Sequence, residues 1–410
     1  MLDIKYIREN SEKVKEGCKK RGFDCDVDRI LKLDEKRREL LLKIEGLRAA
    51  QGKLGKEDIE KAKKIKAEIK KLEPQEEEIE GGLNSLLSLL PNMPAEDVPV
   101  GDEDSNVVLR EYGKVPKFDF EPKEHLQLAQ ALNGIDVERA AKVSGSRFAY
   151  LKGDIALLEF ALVELAMKTA MKEGFLPIVP PVFVKGDMMG AMGYVDTPED
   201  LAERYYFEKE ELFLVGTAEQ SIGPMHQGEV FEEKDLPKRY VAFSTCFREE
   251  AGSYGKDTKG ILRVHQFDKI ELFSFADPGK SKEEHQFLVS LEEKLWQALE
   301  ISYRVVQLAT GDMSRPSSST IDIEAWLPGQ NKYREVSSAS NTTDFQARRL
   351  NTRFRSKEGK PEYVHMLNAT AFAIGRTLIA IVENYQQKDG SVKIPKVLQK
   401  YIGKKEIKKP

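Results

Sequence analysis

The stretch from Phe247 to Phe273 reads FREEAGSYGKDTKGILRVHQFDKIELF, and it sets charged residues among the apolar residues of predicted β-strands. Runs rich in β-branched and aromatic residues cover 239–247 and 260–275, which is typical of strands. Charged side chains in strands are costly to bury unless they are paired or used. The stretch therefore indicates buried ion pairs or a functional site, and the residues alone leave both interpretations open.

Two more segments combine charge with β-rich surroundings. The first is the short sequence Thr217-Ala218-Glu219, and the second is Glu335-Val336-Ser337-Ser338, which Gly375-Arg376 follows later in the chain. Neither phosphate-binding pattern, G-x-x-x-x-G-K-[ST] or G-x-G-x-x-G, occurs in the sequence. If a nucleotide binds this chain, arginines and carboxylates must hold it.

The order of predicted elements indicates the fold class. Strand-like runs cover residues 211–215, 239–247, 260–275, 301–308, 320–326 and 334–338. Helices are predicted over 154–172, 281–300 and 371–384, apart from the strands. Strands in runs with separate helices predict an α+β domain built on an antiparallel sheet.

A heptad pattern precedes this domain. Leucines at 33, 40, 47 and 54 are spaced by seven, and a second set follows at Ile65, Leu72, Ile79 and Leu86. Two such segments with a break at 51–58 predict an antiparallel helical hairpin, with a kink near Pro74. We expect an N-terminal domain over 1–100, with the hairpin arm at about 27–90, and a second domain over 101–410.

The predicted tip of the arm is basic. Residues 48–71 contain nine basic and four acidic side chains, including Lys61, Lys63 and Lys64. Such a run is often only a solvated helix face. A basic tip held away from the rest of the protein also suits a phosphate backbone, so the lysines are candidate nucleic-acid contacts.

Composition excludes several classes of protein. The 410 residues carry a formal net charge of −4, which excludes a globally basic nucleic-acid binder. No apolar run approaches the roughly 18–20 residues that span a bilayer. Three cysteines exclude a four-cysteine zinc site and suit a reducing compartment, so we expect a cytoplasmic protein without zinc or membrane contact.

Together these motifs resemble the seryl-tRNA synthetases, a family of class II aminoacyl-tRNA synthetases. The opening stretch is similar to class II motif 2 with its loop, and AFAIGRTLIAIVENYQ at 371–386 is similar to motif 3. The helix and strand that end at Pro181 resemble motif 1. The sequences PNMP at 91–94 and REVSSASNTTDFQARR at 334–349 are also similar to this family, so the resemblance covers essentially the whole chain.

The resemblance implies a fold, a reaction and partners. The fold is a six- or seven-stranded antiparallel sheet flanked by helices, in a homodimer formed through motif 1. The reaction joins L-serine and ATP into seryl-adenylate with release of pyrophosphate, then transfers the seryl group to the 3′ end of tRNA(Ser). Mg²⁺ would assist, and the resemblance leaves open whether tRNA(Sec) is also charged.

The resemblance also implies roles for individual residues. Arg248 would bridge the serine carboxylate and the α-phosphate, and Arg376 would hold the γ-phosphate and one face of the adenine. The other residues implied to bind ATP are Glu249, Glu250, Val264, Phe267, Glu335, Val336, Ser337 and Ser338. Of these, Glu335 and Ser338 would also contact Mg²⁺, which prefers oxygen ligands. The residues implied to bind serine are Thr217, Ala218, Glu219, Arg248, Glu271 and Thr370.

Two alternative functions remain open at this point. The first is a synthetase-like ligase that loads an amino acid onto a carrier protein, which the long predicted arm argues against. The second is a non-enzymatic coiled-coil scaffold with a degenerate ligase domain. The presence of Arg248, Glu250, Glu271 and Arg376 argues against the scaffold.

Overall fold

The computed structural model describes residues 1–55, 57–251, 260–357 and 359–409. Their contacts divide the chain into two compact units, Met1–Met93 and Pro94–Pro410. Residues 252–259 of the opening stretch lie outside the described part, as does Lys56 at the predicted tip of the arm. Among the described helices, none combines the length and the apolar character that a membrane crossing requires.

The N-terminal unit contains a pair of long helices. Its elements are α1 (Ile4–Glu9), α2 (Ser11–Lys20), α3 (Val27–Gln51) and α4 (Ile59–Leu89). Helices α3 and α4 pack along each other through an apolar seam that includes Ile44. Two ion pairs across the helices, Arg37 with Glu80 and Arg48 with Glu73, show that they run antiparallel. The predicted helical hairpin is confirmed.

The ends of the two hairpin helices can be compared with the heptad pattern. Helix α3 ends at Gln51 and α4 begins at Ile59, so the observed break agrees with the one predicted at 51–58, and Leu54, the fourth leucine of the first set, lies within it. Gly52 caps the helix, which agrees with the poor helix propensity of glycine. Helix α4 continues past Pro74 to Leu89, and the expected kink stays a prediction.

The second unit is built on one large sheet. Its strands are β1 (Val107–Tyr112), β4 (Leu176–Ile178), β9 (Lys238–Phe247), β10 (Gln266–Ala276), β11 (Tyr303–Gln307), β12 (Ser319–Leu327), β13 (Lys332–Asn341) and β16 (His365–Ala373). Their order is β1-β11-β12-β13-β16-β10-β9-β4. All neighbours are antiparallel except β4 and β9. The predicted α+β class is confirmed, but the sheet has eight strands where six or seven were expected.

The strands at the two edges and at the centre of the sheet are the ones that the sequence pattern reveals least clearly. Strand β1 is exposed along its whole length at one edge, and the short β4, which contains Pro177, lies at the other. Central strand β16 is buried at seven consecutive positions, so it lacks the alternation that reveals a strand. The helix predicted from residue 371 begins at Ile374, after this strand ends.

Helices and smaller sheets surround the large sheet. The helices are α5 (His125–Ala131), α6 (Val137–Ser144), α7 (Gly153–Lys172), α8 (Gly186–Met192), α9 (Pro198–Ala202), α10 (Glu219–Ile222), α11 (Ser281–Ala298), α12 (Phe345–Leu350), α13 (Ile374–Asn384) and α14 (Lys396–Ile402). The small sheets contain β2 (Ile135–Asp136), β3 (Tyr150–Leu151), β5 (Phe183–Lys185), β6 (Tyr206–Phe207), β7 (Leu212–Leu214), β8 (Val230–Glu232), β14 (Arg353–Arg355), β15 (Pro361–Tyr363), β17 (Val392–Lys393) and β18 (Glu406–Ile407). The main apolar core joins α7, α11 and α13 to the sheet.

The sheet opens at its centre. Strands β13 and β16 pair over only three positions, from Asn341 opposite Leu367 to Ala339 opposite Ala369. Beyond these pairs, Ser338 on β13 and Thr370 on β16 are no longer paired with each other. The register between β10 and β16 also shifts between Ile270 and Glu271. Bulges and strand ends of this kind redirect side chains, and here they leave room between strands for a cavity.

A buried carboxyl group lies next to this opening. Glu292 on α11 is fully buried, and neither of its side-chain oxygens has a hydrogen-bond partner among the described residues. The backbone N–H of Thr370 approaches it without completing a hydrogen bond. Burial raises the pKa of Glu292 well above its ordinary value, and the nearby carboxyls of Asp322 and Glu271 raise it further. The folded protein therefore holds a proton on Glu292 at pH values where the unfolded chain has released it.

We predict that Glu292→Gln removes a pH-dependent loss of stability. Because the folded pKa of Glu292 is raised, the native protein loses stability as pH rises above the unfolded value of about 4.3, by up to about 1.4 kcal/mol per pH unit. The free energy of unfolding, measured with urea from pH 5 to 8, should therefore fall less steeply in the variant. Glu283→Gln, at an exposed position of the same helix, is the control, and identical slopes in the two variants would contradict this prediction.

Candidate active site

Two adjoining cavities open on the sheet where β13 and β16 separate. The first is lined by residues that include Arg248, Glu250, Val264, Phe267, Glu335, Val336, Ser337 and Arg376. The second is lined by residues that include Thr217, Glu219, Arg248, Glu271, Glu335, Ser338, Thr370 and Arg376. Arg248 and Arg376 line both cavities, so the two predicted guanidinium groups share one continuous space.

Arg248 follows directly after β9 and is held in place by backbone groups. Its Nε donates a hydrogen bond to the carbonyl oxygen of Gly216 over 3.2 Å. Its backbone N–H pairs with the carbonyl of His265, which fixes the end of β9 against the start of β10. The guanidinium carbon lies 5.2 Å from the ring centroid of Phe267, a cation–π distance. The terminal nitrogens of Arg248 can therefore face the shared space while the stem is anchored.

Arg376 lies on the first turns of α13 and is paired with Glu335 of β13. One Nη atom is 3.0 Å from the Glu335 carboxylate and donates to its backbone carbonyl over 2.9 Å. The Glu335 carboxylate raises the pKa of Arg376, so the guanidinium is charged. The pair places one cation and one carboxylate at the junction of the two cavities.

Glu250 occupies an unusual backbone conformation at the wall of the first cavity. Its φ of +52° lies in the left-handed region, where a non-glycine residue is strained. Its carboxylate forms an ion pair of 2.8 Å with Arg263. Strain of this type is common at functional sites, and Glu250 lines both cavities.

The second cavity contains two buried carboxyl groups. Burial raises the pKa of Glu271 to about 7. The Nζ atom of Lys269 lies 2.6 Å from the Glu271 carboxylate and opposes this shift. Burial also raises the pKa of Glu219, which accepts a hydrogen bond from the Tyr194 hydroxyl. Thr370 lies opposite Glu271 in the register of β16 and β10. The cavity thus offers two carboxyls and a hydroxyl to a small polar ligand.

Ala218 and Glu249 line neither of these two cavities. Ala218 is fully buried in an apolar cluster with side chains such as Met192 and Phe273. The backbone N–H of Glu249 donates a hydrogen bond to the carbonyl oxygen of Glu203. Ala218 and Glu249 were expected to bind serine and ATP because each is adjacent in a motif to a residue with that role. Side chains of adjacent residues point in different directions.

The arm lysines lie on the first turns of α4 in the N-terminal unit. Lys61 and Lys63 have 75% and 69% of their side chains exposed, and Lys64 is also exposed. Lys61 pairs with Asp58 and Lys63 with Glu60 at distances of 3.1 and 3.0 Å. These pairs are solvent-exposed and therefore weak, so the lysines remain accessible to a polyanion.

The residues proposed for Mg²⁺ fit a hard cation. Ser338 lies opposite Asp322 in the register of β13 and β12, and both are near Glu335. Asp322 is buried, and its Oδ1 has no hydrogen-bond partner in the described part of the chain. No group of three or more His, Cys, Asp or Glu side chains among the described residues has the arrangement of a metal site. The donors fit an ion that takes its remaining ligands from phosphates and water, as Mg²⁺ commonly does.

The structure adds residues to the site to which the sequence analysis gave no role. These are Tyr194, Arg204, Arg263, Lys269 and Asp322. The alternation of β10 could have revealed Lys269, because it shares a strand face with Phe267 and Glu271. Tyr194 and Arg204 come from a connecting segment without a recognisable pattern, and only the folded chain brings them to the cavity.

Comparisons with known proteins agree with this geometry. The family described as tRNA synthetase class II core domain (G, H, P, S and T) matches residues 205–385, and the seryl-tRNA synthetase N-terminal domain matches residues 1–94. The serine--tRNA ligase of Dictyoglomus turgidum is 45% identical, with 100% of this chain and 99% of the relative covered. The serine--tRNA ligase of Nitrosopumilus maritimus is 42% identical over 99% of this chain and 100% of the relative.

Solved structures give the same result. The seryl-tRNA synthetase of Pyrococcus horikoshii, complexed with ATP, has a TM-score of 0.93 and 43% identity, with both chains fully covered. The cytoplasmic serine-tRNA ligase of Naegleria fowleri, in complex with AMP, has a TM-score of 0.89 and 37% identity, covering 100% of this chain and 99% of that one. With its fold, its cavities and its full-length relatives in agreement, this chain belongs to the seryl-tRNA synthetase family of class II aminoacyl-tRNA synthetases.

Proposed function

We propose that this chain is a serine--tRNA ligase that activates L-serine with ATP and transfers the seryl group to tRNA(Ser). The observation that carries the proposal is the shared space between Arg248 and Arg376, with the Glu219 and Glu271 carboxyls on its second side. Two guanidinium groups suit the phosphates of a nucleotide, and carboxyls suit an ammonium and a hydroxyl group. The relatives named above support the same reaction.

Activation needs positioning and charge stabilisation more than proton transfer. The serine carboxylate attacks the α-phosphorus, a carboxylate oxygen–phosphorus bond forms, and the bond to pyrophosphate breaks. The attacking carboxylate is already ionised near neutral pH, so no general base is required. Arg248 would hold this carboxylate and the α-phosphate together and stabilise the charge of the transition state. Its anchoring to Gly216 supplies the rigidity that this role requires.

The first cavity would hold the nucleotide. Phe267 offers a ring to one face of the adenine, and Arg376 offers a guanidinium plane to the other face and charge to the γ-phosphate. Glu250 would accept a hydrogen bond from the adenine amino group, while its ion pair with Arg263 holds the carboxylate in place. Val264 would add apolar contact at the base. Mg²⁺ held at Glu335 and Ser338 would neutralise phosphate charge.

The second cavity would select serine. Glu219 would pair with the ammonium group, and Thr217 supports Glu219 because the Glu219 N–H donates to the Thr217 hydroxyl oxygen over 3.4 Å. Glu271 and Thr370 would bond the substrate hydroxyl. A site that hydrogen-bonds a hydroxyl rejects alanine, because buried polar groups would otherwise lose their partners. Glu271 with a pKa of about 7 can accept or donate this bond near neutral pH.

The partners follow from the two units. We infer that the N-terminal unit binds tRNA, with Lys61, Lys63 and Lys64 placed to contact its phosphates. We also infer a homodimer, because Leu157 and Phe160 of α7 are 47% and 66% exposed in the segment similar to motif 1. Exposed apolar side chains on one helix suit a subunit interface. A cytoplasmic location is proposed from the three cysteines, which suit a reducing compartment. Charging of tRNA(Sec) is a further possibility that the same arm would serve.

The proposed reaction is tested by serine-dependent ATP–pyrophosphate exchange and by charging of tRNA(Ser) with radiolabelled serine. We expect both activities, and we expect Arg248→Ala to lose exchange by at least the ~2.7 kcal/mol typical of a lost transition-state donor, about a hundredfold. Circular dichroism and thermal unfolding serve as controls for folding. Exchange without charging would favour the carrier-protein ligase, and a folded protein without exchange would favour the scaffold.

Replacing Lys61, Lys63 and Lys64 together with glutamine should raise the KM for tRNA and reduce its dependence on salt. The reason is that fewer phosphates are neutralised and fewer counterions are released. Serine-dependent exchange should be unchanged, since activation takes place without tRNA. The measurement is charging at several salt concentrations beside exchange on the same preparations. A lower rate of exchange with an unchanged tRNA KM would rule out this division between the two units.

A further inference from the structure

Arg204 is a cation in the second cavity that the described structure does not pair with an acid. It follows α9 and precedes β6, and its Nη1 donates to the backbone carbonyl of Glu203 over 3.2 Å. Its Nε is shielded from solvent and has no hydrogen-bond partner among the residues that the structure describes. The guanidinium carbon lies 5.3 Å from the ring centroid of Tyr194, so part of the charge is stabilised by the aromatic face.

The surroundings of Arg204 disfavour its charge. Burial lowers the pKa of Arg204, and the nearby Arg248 guanidinium lowers it further. Asp200, an acid close to it along the chain, forms its ion pair with Arg315 instead. Tyr194, Glu203 and Asp200 oppose this lowering of the Arg204 pKa without cancelling it. Burying a guanidinium beside a like charge, with no carboxylate of the described residues in an ion pair with it, costs free energy. An anion delivered by a ligand would remove this cost.

The charges of the second cavity show which ligand would do so. Three cations in it are matched by acids, in the pairs Lys269–Glu271, Arg263–Glu250 and Arg376–Glu335. Outside these pairs stand the cations Arg204 and Arg248 and the acids Glu203 and Glu219. Glu219 is the buried one of the two acids, and its carboxylate accepts a hydrogen bond from the Tyr194 hydroxyl. A zwitterionic amino acid supplies the complement, because its ammonium group matches Glu219 and its carboxylate matches the arginines.

Arg204 lies on the amino-acid side of the site. It lines the second cavity with Thr217 and Glu219, and it is not among the residues around the Phe267 side of the first cavity. A methyl group built on Gly216 would lie 3.6 Å from both Arg204 Nη1 and Arg248 Cγ. The two arginines therefore flank the same glycine, one anchored to its carbonyl and the other beside its α-carbon.

We propose that Arg204 is a second substrate-binding arginine, which contacts the α-carboxylate of serine alongside Arg248. This inference rests on the proposed function. When the carboxylate attacks the α-phosphorus, Arg248 must serve both the carboxylate and the phosphate. Arg204 would hold the carboxylate oxygen that does not attack, and so orient the other oxygen toward phosphorus.

The test compares serine with L-serinamide, in which a neutral carboxamide replaces the carboxylate. In Arg204→Gln, the KM for serine in pyrophosphate exchange should rise about ten- to a hundredfold, the range of a lost charged hydrogen bond. The inhibition constant of L-serinamide and the KM for ATP should change less than about threefold. Arg204→Lys should recover part of the serine affinity, because it keeps the charge but not the planar fork.

The matched control is Lys209→Gln, which removes an exposed positive charge just after β6 and should leave all three constants unchanged. Equal loss for serine and L-serinamide in Arg204→Gln would overturn the proposal in favour of a structural role. A rise confined to the KM for ATP would overturn it in favour of a phosphate contact. If the unaltered protein lacks exchange, the proposed function fails. Calorimetric binding of serine to the unaltered protein and to Arg204→Gln then tests Arg204 separately, and equal affinities would overturn its role.

Discussion

The cost of removing charge from water is the constraint on which the architecture depends. The strands and helices around the opening, together with their connecting segments, bring five cations and five carboxyls to the described lining of the second cavity, in a sheet whose core is apolar. So many charged groups in one place are tolerated only where they are paired with each other or can be neutralised by a ligand. The pairs Lys269–Glu271 and Arg376–Glu335 supply internal neutralisation, and the groups outside such pairs mark where substrates complete it.

The opening itself is a consequence of strand geometry. Because β13 and β16 pair over three positions and then separate, Ser338 and Thr370 face a space instead of each other. The apolar core of α7, α11 and α13 supports this space from one side, so the side chains around it have rigid backbones. Glu292 reaches the same region from α11 as a buried acid without a hydrogen-bond partner among the described residues. Burial raises the pKa of this acid, so the folded protein loses stability as pH rises above the pKa of the unfolded chain.

Much of the site could be predicted because class II motifs place their residues on strands and on a helix start. Arg248 stands at the end of β9, Phe267 and Glu271 on one face of β10, and Arg376 on the first turns of α13. Period-two alternation carries such residues to a common face whatever the loops do. Ala218 and Glu249 were predicted for ATP or serine because they are adjacent to these residues. Adjacency along the chain does not bring side chains to one cavity, and both line neither cavity.

The amino-acid sequence alone determined the α+β class, the helical hairpin and most of the charged residues around the opening, because each depends on local periodicity or on a motif. Only the tertiary structure decided the eighth strand, the extent of β16, and the arrival of Tyr194 and Arg204 at the second cavity. Strand β16 is buried on both faces and so shows no alternation, and Arg204 comes from a connection whose position depends on the sheet beneath it. The positions of such residues depend on packing between distant parts of the chain, which local sequence patterns do not reveal.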